Sequence, residues 1–368
     1  MDLRFRNAKG ETGSAAAADY ARGPHWPDGD LVDCDVHIRV RSLPTLMPYL
    51  PERWQAYITE SGVGNLEPNT HPPGAPTSLR PGLEPRDGES DLDAMRRLLL
   101  DPWQTHRAVL GCEYGIDAVR NDDWAAAMGR AVNEWQAAEW LDPEPRLRGS
   151  ILVPIQNVEL AVAEIDRLGD DPRFVQVLLP VRAPEPLGRR RFWPIYEAAQ
   201  RHGLVVGIHA GGSSGNPISA VGWPTYYLED YVDLAQVFQS QLMSLVSEGV
   251  FAKFPELTVA FIESGFTWLP ALMWRFDKNW KGLRREVPWV DRPPSEIIRE
   301  RVRITAQPLD GDPAFLRDII EQIDCPQMLL FATDYPHWQF DGGALPDGLD
   351  EALLRRILSV NATETYRL

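Results

Sequence analysis

Asp35-Val36-His37, His209 and Asp334 are the residues of this chain whose types and placement could hold a metal ion. Each group closes an apolar run of strand length, at 31–37, 204–209 and 328–333. Residues two apart on a strand point the same way, so Asp35 and His37 could reach one cation together. A mixture of imidazole and carboxylate suits zinc, manganese or iron(II) rather than a thiolate-type site. Taken singly, His209 reads equally as a hydrogen-bonded core histidine and Asp334 as the cap of a turn. What favours ligation is that all of them stand at C-terminal strand ends, where α/β proteins build their chemistry.

Glu263, in Ile262-Glu263-Ser264-Gly265, closes another apolar run and is a fourth strand-end candidate. It reads as a ligand or a ligand-supporting acid. It reads equally as an acid placed ahead of a helix that starts near Phe266, where the helix dipole favours negative charge. His337 could enter the pocket as an acid or a substrate contact, or be a surface-loop histidine. Arg39 keeps the even spacing of Asp35 and His37 and could bind a substrate carboxylate if it points inward. Arg303 lies within a strand-like run and, if buried, needs an acidic partner. Trp223, Tyr226 and Tyr227 follow the His209 run and could wall an aromatic substrate pocket, or simply pack their loop down.

The elements that must position these side chains are legible as alternation. Apolar runs at 31–37, 108–111, 149–154, 174–179, 204–209, 257–262, 302–305 and 328–333 are separated by helical patterns. The helices are expected near 91–100, 121–141, 158–168, 192–202, 230–249, 266–281, 312–323 and 350–358. Eight such units predict a (β/α)8 TIM barrel with long loop insertions. A doubly wound sheet usually carries a glycine-rich phosphate loop after an early strand, and this sequence has neither a G-x-G-x-x-G nor a P-loop motif. Residues 29–368 are expected to form one barrel domain, and 1–28, polar and without periodicity, a flexible tail. The Pro/Gly-rich stretch 62–89 is too long for a simple connection and reads as a lid or interaction loop.

Composition narrows the partners. A net charge of −16 argues against nucleic acid and anionic membrane. No apolar run approaches a membrane span and the N-terminus lacks a hydrophobic signal region. Cys34, Cys112 and Cys325 are odd in number and lack C-x-x-C spacing, which argues for a reducing cytoplasm over a disulfide framework. The 13 tryptophans fit an aromatic-rich pocket or an aromatic core, and those of 124–140 offer a face for a homodimer.

Several motifs together resemble the amidohydrolase superfamily, in particular the amidohydrolase-related group that includes aminocarboxymuconate-semialdehyde decarboxylase and its decarboxylase relatives. They are Asp33-Cys34-Asp35-Val36-His37, Gly207-Ile208-His209-Ala210-Gly211-Gly212, the run from Glu248 to Leu257, Glu263-Ser264-Gly265-Phe266-Thr267-Trp268-Leu269-Pro270, and Ala332-Thr333-Asp334-Tyr335-Pro336-His337. The resemblance implies that His37, its partner Asp35, His209 and Asp334 are metal ligands. Asp35-x-His37 resembles the acidic variant of a motif that is usually His-x-His or Glu-x-His. Glu263 stands where the family often has a histidine. Gln176 and Pro180 occupy the strand where a bridging lysine would sit, so one cation is expected, zinc first, with manganese or iron as alternatives.

The leading expectation is a metal-dependent hydrolase acting on a small cyclic or aromatic molecule through a metal-activated water, with Asp334 as the proton carrier. The alternative is a non-oxidative decarboxylase of an aromatic or related carboxylic acid, in which Asp334 protonates the ring carbon and Arg39 or Arg303 helps hold the acid. A barrel that binds a ligand without turning it over is the third.

Overall fold

The computed structural model describes residues 30–66, 82–212, 215, 217–337, 345 and 349–368. The expected tail, and 67–81 of the expected lid, lie outside the described residues. Eight parallel strands run in sequence order: β1 (Leu31–His37), β2 (Thr105–Gly111), β3 (Leu147–Leu152), β4 (Phe174–Pro180), β5 (Val205–His209), β6 (Val259–Ile262), β7 (Val302–Thr305) and β8 (Leu329–Leu330). Helices alternate with them, as a TIM barrel requires. Closure comes where the segment after β8 meets β1: Cys34 N donates to Phe331 O at 2.9 Å and His37 N to Tyr335 O at 2.7 Å. The strands are apolar along their length because a parallel barrel buries both faces, one under helices and one in the lumen.

The lumen is filled, not open. Val32, Cys34, Val109, Leu178, Val205, Ala260, Ile262 and Leu330 form its apolar layer, joined from below by Ala362 and Tyr366 of the C-terminal helix Asn361–Tyr366. Tyr366 donates its hydroxyl to Gln176 Oε1 (3.2 Å), and Gln176 Nε2 donates to Ser150 Oγ (2.6 Å), so the polar groups at this depth are partnered. Glycine at 207 makes the Gln176 position available, since a Cβ there would lie 2.7 Å from Gln176 Oε1. The pairing of β1 with β2 shifts register between Asp33 and Val36. Val32 and Cys34 face the lumen before the shift, and Asp35 and His37 face it afterwards. A bulge that re-aims side chains at a barrel rim is a familiar device beside active sites.

Helix boundaries follow their caps. Asn121 accepts from Trp124 N at 3.0 Å, opening the helix Asp122–Gln136, and Asn157 accepts from Leu160 N at 3.1 Å, opening Val158–Leu168. The helix Glu52–Ser61 was not legible as a period, because its mean composition is polar and its exposed face dominates. It packs Trp54 and Tyr57 against Trp124, with Trp54 and Trp124 ring centroids 4.9 Å apart. Trp124, Trp135 and Trp140 are all buried within the chain's own fold, so the tryptophans offered as a homodimer face are already covered. Among the described residues no helix is long and apolar enough to cross a membrane.

Far from the lumen mouth, Glu144 ties the approach to β3 to the segment before β2. It accepts from Arg146 (Nε, 2.8 Å; Nη2, 2.9 Å) and from Arg96 Nε (2.8 Å). Those hydrogen bonds, Arg146 first, hold its carboxyl down at about 2. A carboxylate depressed on folding contributes stability that is present above its unfolded pKa, near 4.3, and is lost as pH falls toward 2. Glu144→Gln is therefore expected to cost roughly 1–2 kcal/mol at pH 7. Urea melts should show that difference from the parent shrinking steadily between pH 5 and about 2.5; a pH-independent difference would refute the assignment.

Candidate metal centre

Four different strand ends deliver the cluster. Asp35 and His37 come from β1, His209 from β5, Glu263 directly after β6 and Asp334 from the segment after β8. His37 Nε2 lies 3.2 Å from Asp35 Oδ1 and 3.0 Å from Asp334 Oδ1. His209 Nε2 lies 3.4 Å from Asp35 Oδ1 and 3.7 Å from Glu263 Oε2. The His37 and His209 rings meet edge to face with centroids 4.9 Å apart. His337 lies against His37, centroids 4.1 Å apart, and its Nδ1 is 2.8 Å from Asp334 Oδ1.

Two overlapping donor sets result, Asp35-His37-His209-Glu263 and His37-Glu263-Asp334-His337, with donor atoms within 4.8 Å of one another in each. Among the described residues, both oxygens of Asp35, Nε2 of His37, Nε2 of His209 and Oδ2 of Asp334 are buried without a hydrogen-bond partner. Buried polar atoms are normally satisfied, so a convergent group of unsatisfied donor atoms is what a coordinated ion would complete. The remaining atoms are held from outside. His209 Nδ1 approaches Ala210 O (2.6 Å) and Glu113 Oε1 (3.1 Å). Glu263 accepts the Tyr231 hydroxyl on Oε1, and its own N–H donates to Thr305 Oγ1 at 2.9 Å.

Electrostatics point the same way. Burial opposes charge on both imidazoles, but carboxylates outweigh it: Asp35 and Asp334 push His37 up to about 10, while Glu113 and Asp35 hold His209 well above its ordinary range. Burial would raise Asp35 and Asp334 too. Instead His37 and His209 beside Asp35, and His337 and His37 beside Asp334, hold both below the usual carboxylate range. Glu263 is pushed up to about 8 by burial and by the Asp334 charge. Excess negative charge in the cluster is thus drawing in protons. A divalent cation would take their place, since ligating imidazoles are neutral.

Comparison with known proteins fixes the family. Residues 32–368 match the sequence model described as Amidohydrolase. The chain belongs to the amidohydrolase family. This amidohydrolase is 24% identical to a gamma-resorcylate decarboxylase from a Polaromonas species over 304 residues, 76% of this chain and 92% of that protein. Among solved structures, an amidohydrolase from Mycobacterium avium subsp. paratuberculosis superposes with a TM-score of 0.72 at 20% identity, covering 93% of this chain and all (100%) of that one. A dihydroxybenzoic acid decarboxylase from a Polaromonas species, with bound manganese and the inhibitor 2-nitroresorcinol, superposes with a TM-score of 0.66 at 20% identity, covering 92% and 97%. The enzyme's buried donor atoms fit a divalent metal, one set offering Asp35, His37, His209 and Glu263 and the other His37, Glu263, Asp334 and His337.

The other residues singled out from sequence fare differently. Arg303 is on β7, but its Nη1 donates to Glu300 O (3.2 Å) and Val302 O (2.9 Å). That is the N-terminal end of the strand, opposite the metal ligands, so Arg303 cannot hold a substrate acid at the cluster. Arg39 is exposed beyond the end of β1 instead of turning inward. Trp223 and Tyr226 are 60% and 70% exposed and stand out in solvent instead of walling a closed pocket. Glu263 does not serve as an acid in a helix's first turn, because the helix begins at Leu269. Four contributors were not foreseen: Tyr231 and Glu113, which grip Glu263 and His209, and Asp33 with Thr333. Thr333 N and Oγ1 donate to Asp33 Oδ1 (3.0 Å) and Oδ2 (2.6 Å), clasping β1 to the segment that carries Asp334.

Metal analysis of the purified protein should find about one equivalent of a transition metal, and His209→Ala should lose it or weaken it by about 100-fold. Because His37 and His209 must give up protons to ligate, apparent affinity should fall as pH is lowered below neutrality. A wild-type protein that takes up no metal on reconstitution would dispose of the centre.

Proposed function

We propose that this amidohydrolase is a non-oxidative decarboxylase of a hydroxylated aromatic carboxylic acid, with manganese or zinc as its ion. Supporting this reading is the likeness to a decarboxylase along 92% of that relative's length. Manganese joins zinc because two carboxylates beside two imidazoles make an oxygen-rich set, and the Polaromonas structure holds manganese. The hydrolase expected first from sequence becomes the second reading. What favours it is Glu263, standing where the family resemblance leads one to expect a histidine.

Bound at the cluster, the divalent ion supplies Lewis acidity that draws electron density from the substrate's oxygens. The chain's own residues handle the proton. Asp334 is fully buried, with Oδ1 shared by His37 and His337 and Oδ2 without a hydrogen-bond partner. Protonated, Asp334 is the general acid: its proton passes to the ring carbon that bears the carboxylate. The bond to the carboxylate carbon then breaks, its electron pair returns to the ring, and carbon dioxide leaves. His337, with 23% of its side chain exposed, stands between Asp334 and solvent and can return a proton from water. Tyr231, through Glu263, fixes the wall facing Asp334. On the second reading the same Asp334 acts in the reverse sense, as a general base toward water.

Incubating metal-loaded protein with 2-hydroxybenzoates in deuterium oxide should release carbon dioxide and place one deuterium on the vacated ring carbon. Asp334→Asn should cut turnover by roughly 10³-fold or more. Ester, amide or lactone cleavage without carbon dioxide release would hand the function to the hydrolase reading.

A further inference from the structure

A small cavity adjoins the metal centre on the side of the mouth formed by β2 to β5. It lies between His209, Glu113, Asp117, Leu152, Leu178 and Pro180 and encloses about 30 Å³. A water needs on the order of 10–15 Å³ of such space, so this recess has room for a water or a small ring substituent. Among the described residues its remaining walls are apolar apart from Tyr114, and neither lysine nor arginine lines it.

Glu113 is held where it is by three features. It follows β2 by two residues, so it rises from the same rim as the metal ligands. Its Oε1 is fixed 3.1 Å from His209 Nδ1, on a histidine that is itself only 1% exposed and whose Nε2 has no hydrogen-bond partner. Gly211 makes room for it: a Cβ there would lie 2.4 Å from Glu113 Oε1, and the glycine's φ of +113° suits no other residue. Since Ala210 O already approaches His209 Nδ1 at 2.6 Å, Glu113 is not needed to choose the tautomer. Its second oxygen has no hydrogen-bond partner among the described residues, and its side chain is 25% exposed.

We propose that Glu113 is a specificity-determining residue, selecting substrates whose ring carries a hydroxyl or amino group directed into this recess and disfavouring rings with a second carboxylate there. The inference rests on the decarboxylase reading for its orientation of the ring. A hydroxyl or amino group donates to the Glu113 carboxylate, whereas a carboxylate meets the like charge of Glu113. A site built to accept a substrate's donor discriminates strongly against the analogue that lacks it.

Binding, not turnover, tests this. Metal-loaded protein is titrated calorimetrically with 2-nitrophenol, whose nitro group stands in for the reacting carboxylate, and with its ring-hydroxy, ring-amino and ring-carboxy derivatives. In the wild type at least one hydroxy or amino isomer should bind about 10-fold tighter than 2-nitrophenol, and the matching carboxy isomer about 10-fold weaker. Glu113→Gln should erase the donor's advantage, so that the favoured hydroxy or amino isomer and 2-nitrophenol bind that variant within about twofold of one another. Wild-type affinities that all agree within about twofold, or a preference that survives Glu113→Gln, would overturn the proposal. If Glu113→Gln fails to retain metal, Glu113→Asp, which keeps the charge but draws it back from the recess, replaces it and should lose most of the donor's advantage. A protein that decarboxylated no acid at all would sink the proposed reaction, and these affinities would still be read independently of it.

Discussion

Asp35, Glu263 and Asp334, all buried, gather with His37 and His209 in two overlapping donor sets at the mouth of an apolar barrel, and Asp33 and Glu113 stand directly behind them. Like charges this close in a low-dielectric interior repel strongly unless a cation or protons intervene. The surrounding structure is organised to hold them there. Glu263 and Asp334 both take left-handed backbone, with φ of 58° and 55°, a conformation uncommon for side-chain-bearing residues. Such strain persists when neighbours over-determine it, and it gathers at functional sites. Here the neighbours are Thr305, which takes the Glu263 N–H, and Asp33, which takes two hydrogen bonds from Thr333 beside Asp334.

The cost of that geometry shows in β8. An apolar run of strand composition spans 328–333, yet only Leu329 and Leu330 stay in the ladder. Beyond them the chain turns aside so that Asp334 can face His37, and its backbone groups need other partners. Thr333 N finds the Asp33 carboxylate and Tyr335 N finds Thr333 Oγ1 at 3.2 Å. The barrel is closed there by side chains as much as by strand pairing. That explains why an acid sits at position 33, two residues ahead of a ligand: it supplies acceptors that a regular strand would have drawn from its neighbour.

This division explains what could be read from the sequence. Continuous apolar runs betray strands of a parallel barrel, and a polar residue ending such a run is conspicuous, so Asp35, His37, His209, Glu263 and Asp334 were visible one by one. What ties them together was not. Tyr231 lies within the helix Tyr227–Ser247, where nothing local separates it from Tyr226 or Tyr227. Glu113 follows a strand by two residues, a strand-end signal of the same kind that passed unread because the run at 108–111 ends in Gly111-Cys112. Arg303 shows the converse error. Its parity puts it on the lumen side with Thr305, but parity does not distinguish the two ends of a strand, and Arg303 is at the wrong one. Trp223 and Tyr226 stand out in the sequence by their chemistry, but exposure is set by how a loop leaves the barrel, which depends on contacts distant in sequence.

The same constellation can serve two reactions, and the substrate's charge separates them. Two positive charges on a divalent ion would be matched by Asp35 and Asp334 with both imidazoles neutral and Glu263, whose carboxyl is pushed up to about 8, keeping its proton. A neutral substrate leaves that balance intact and leaves Asp334 ionised, which is the state of a base. An aromatic carboxylate brings one more negative charge into a buried site, where an unmatched charge is costly. Taking up a proton restores the balance, and Asp334 with His337, 2.8 Å apart and reaching toward solvent, is where the structure can store it. On the decarboxylase reading that proton is the one Asp334 delivers to the ring. Decarboxylation therefore requires no ligand that hydrolysis lacks; it requires a pocket that admits an anion beside the metal, and the choice between the two chemistries passes from the ligands to the walls.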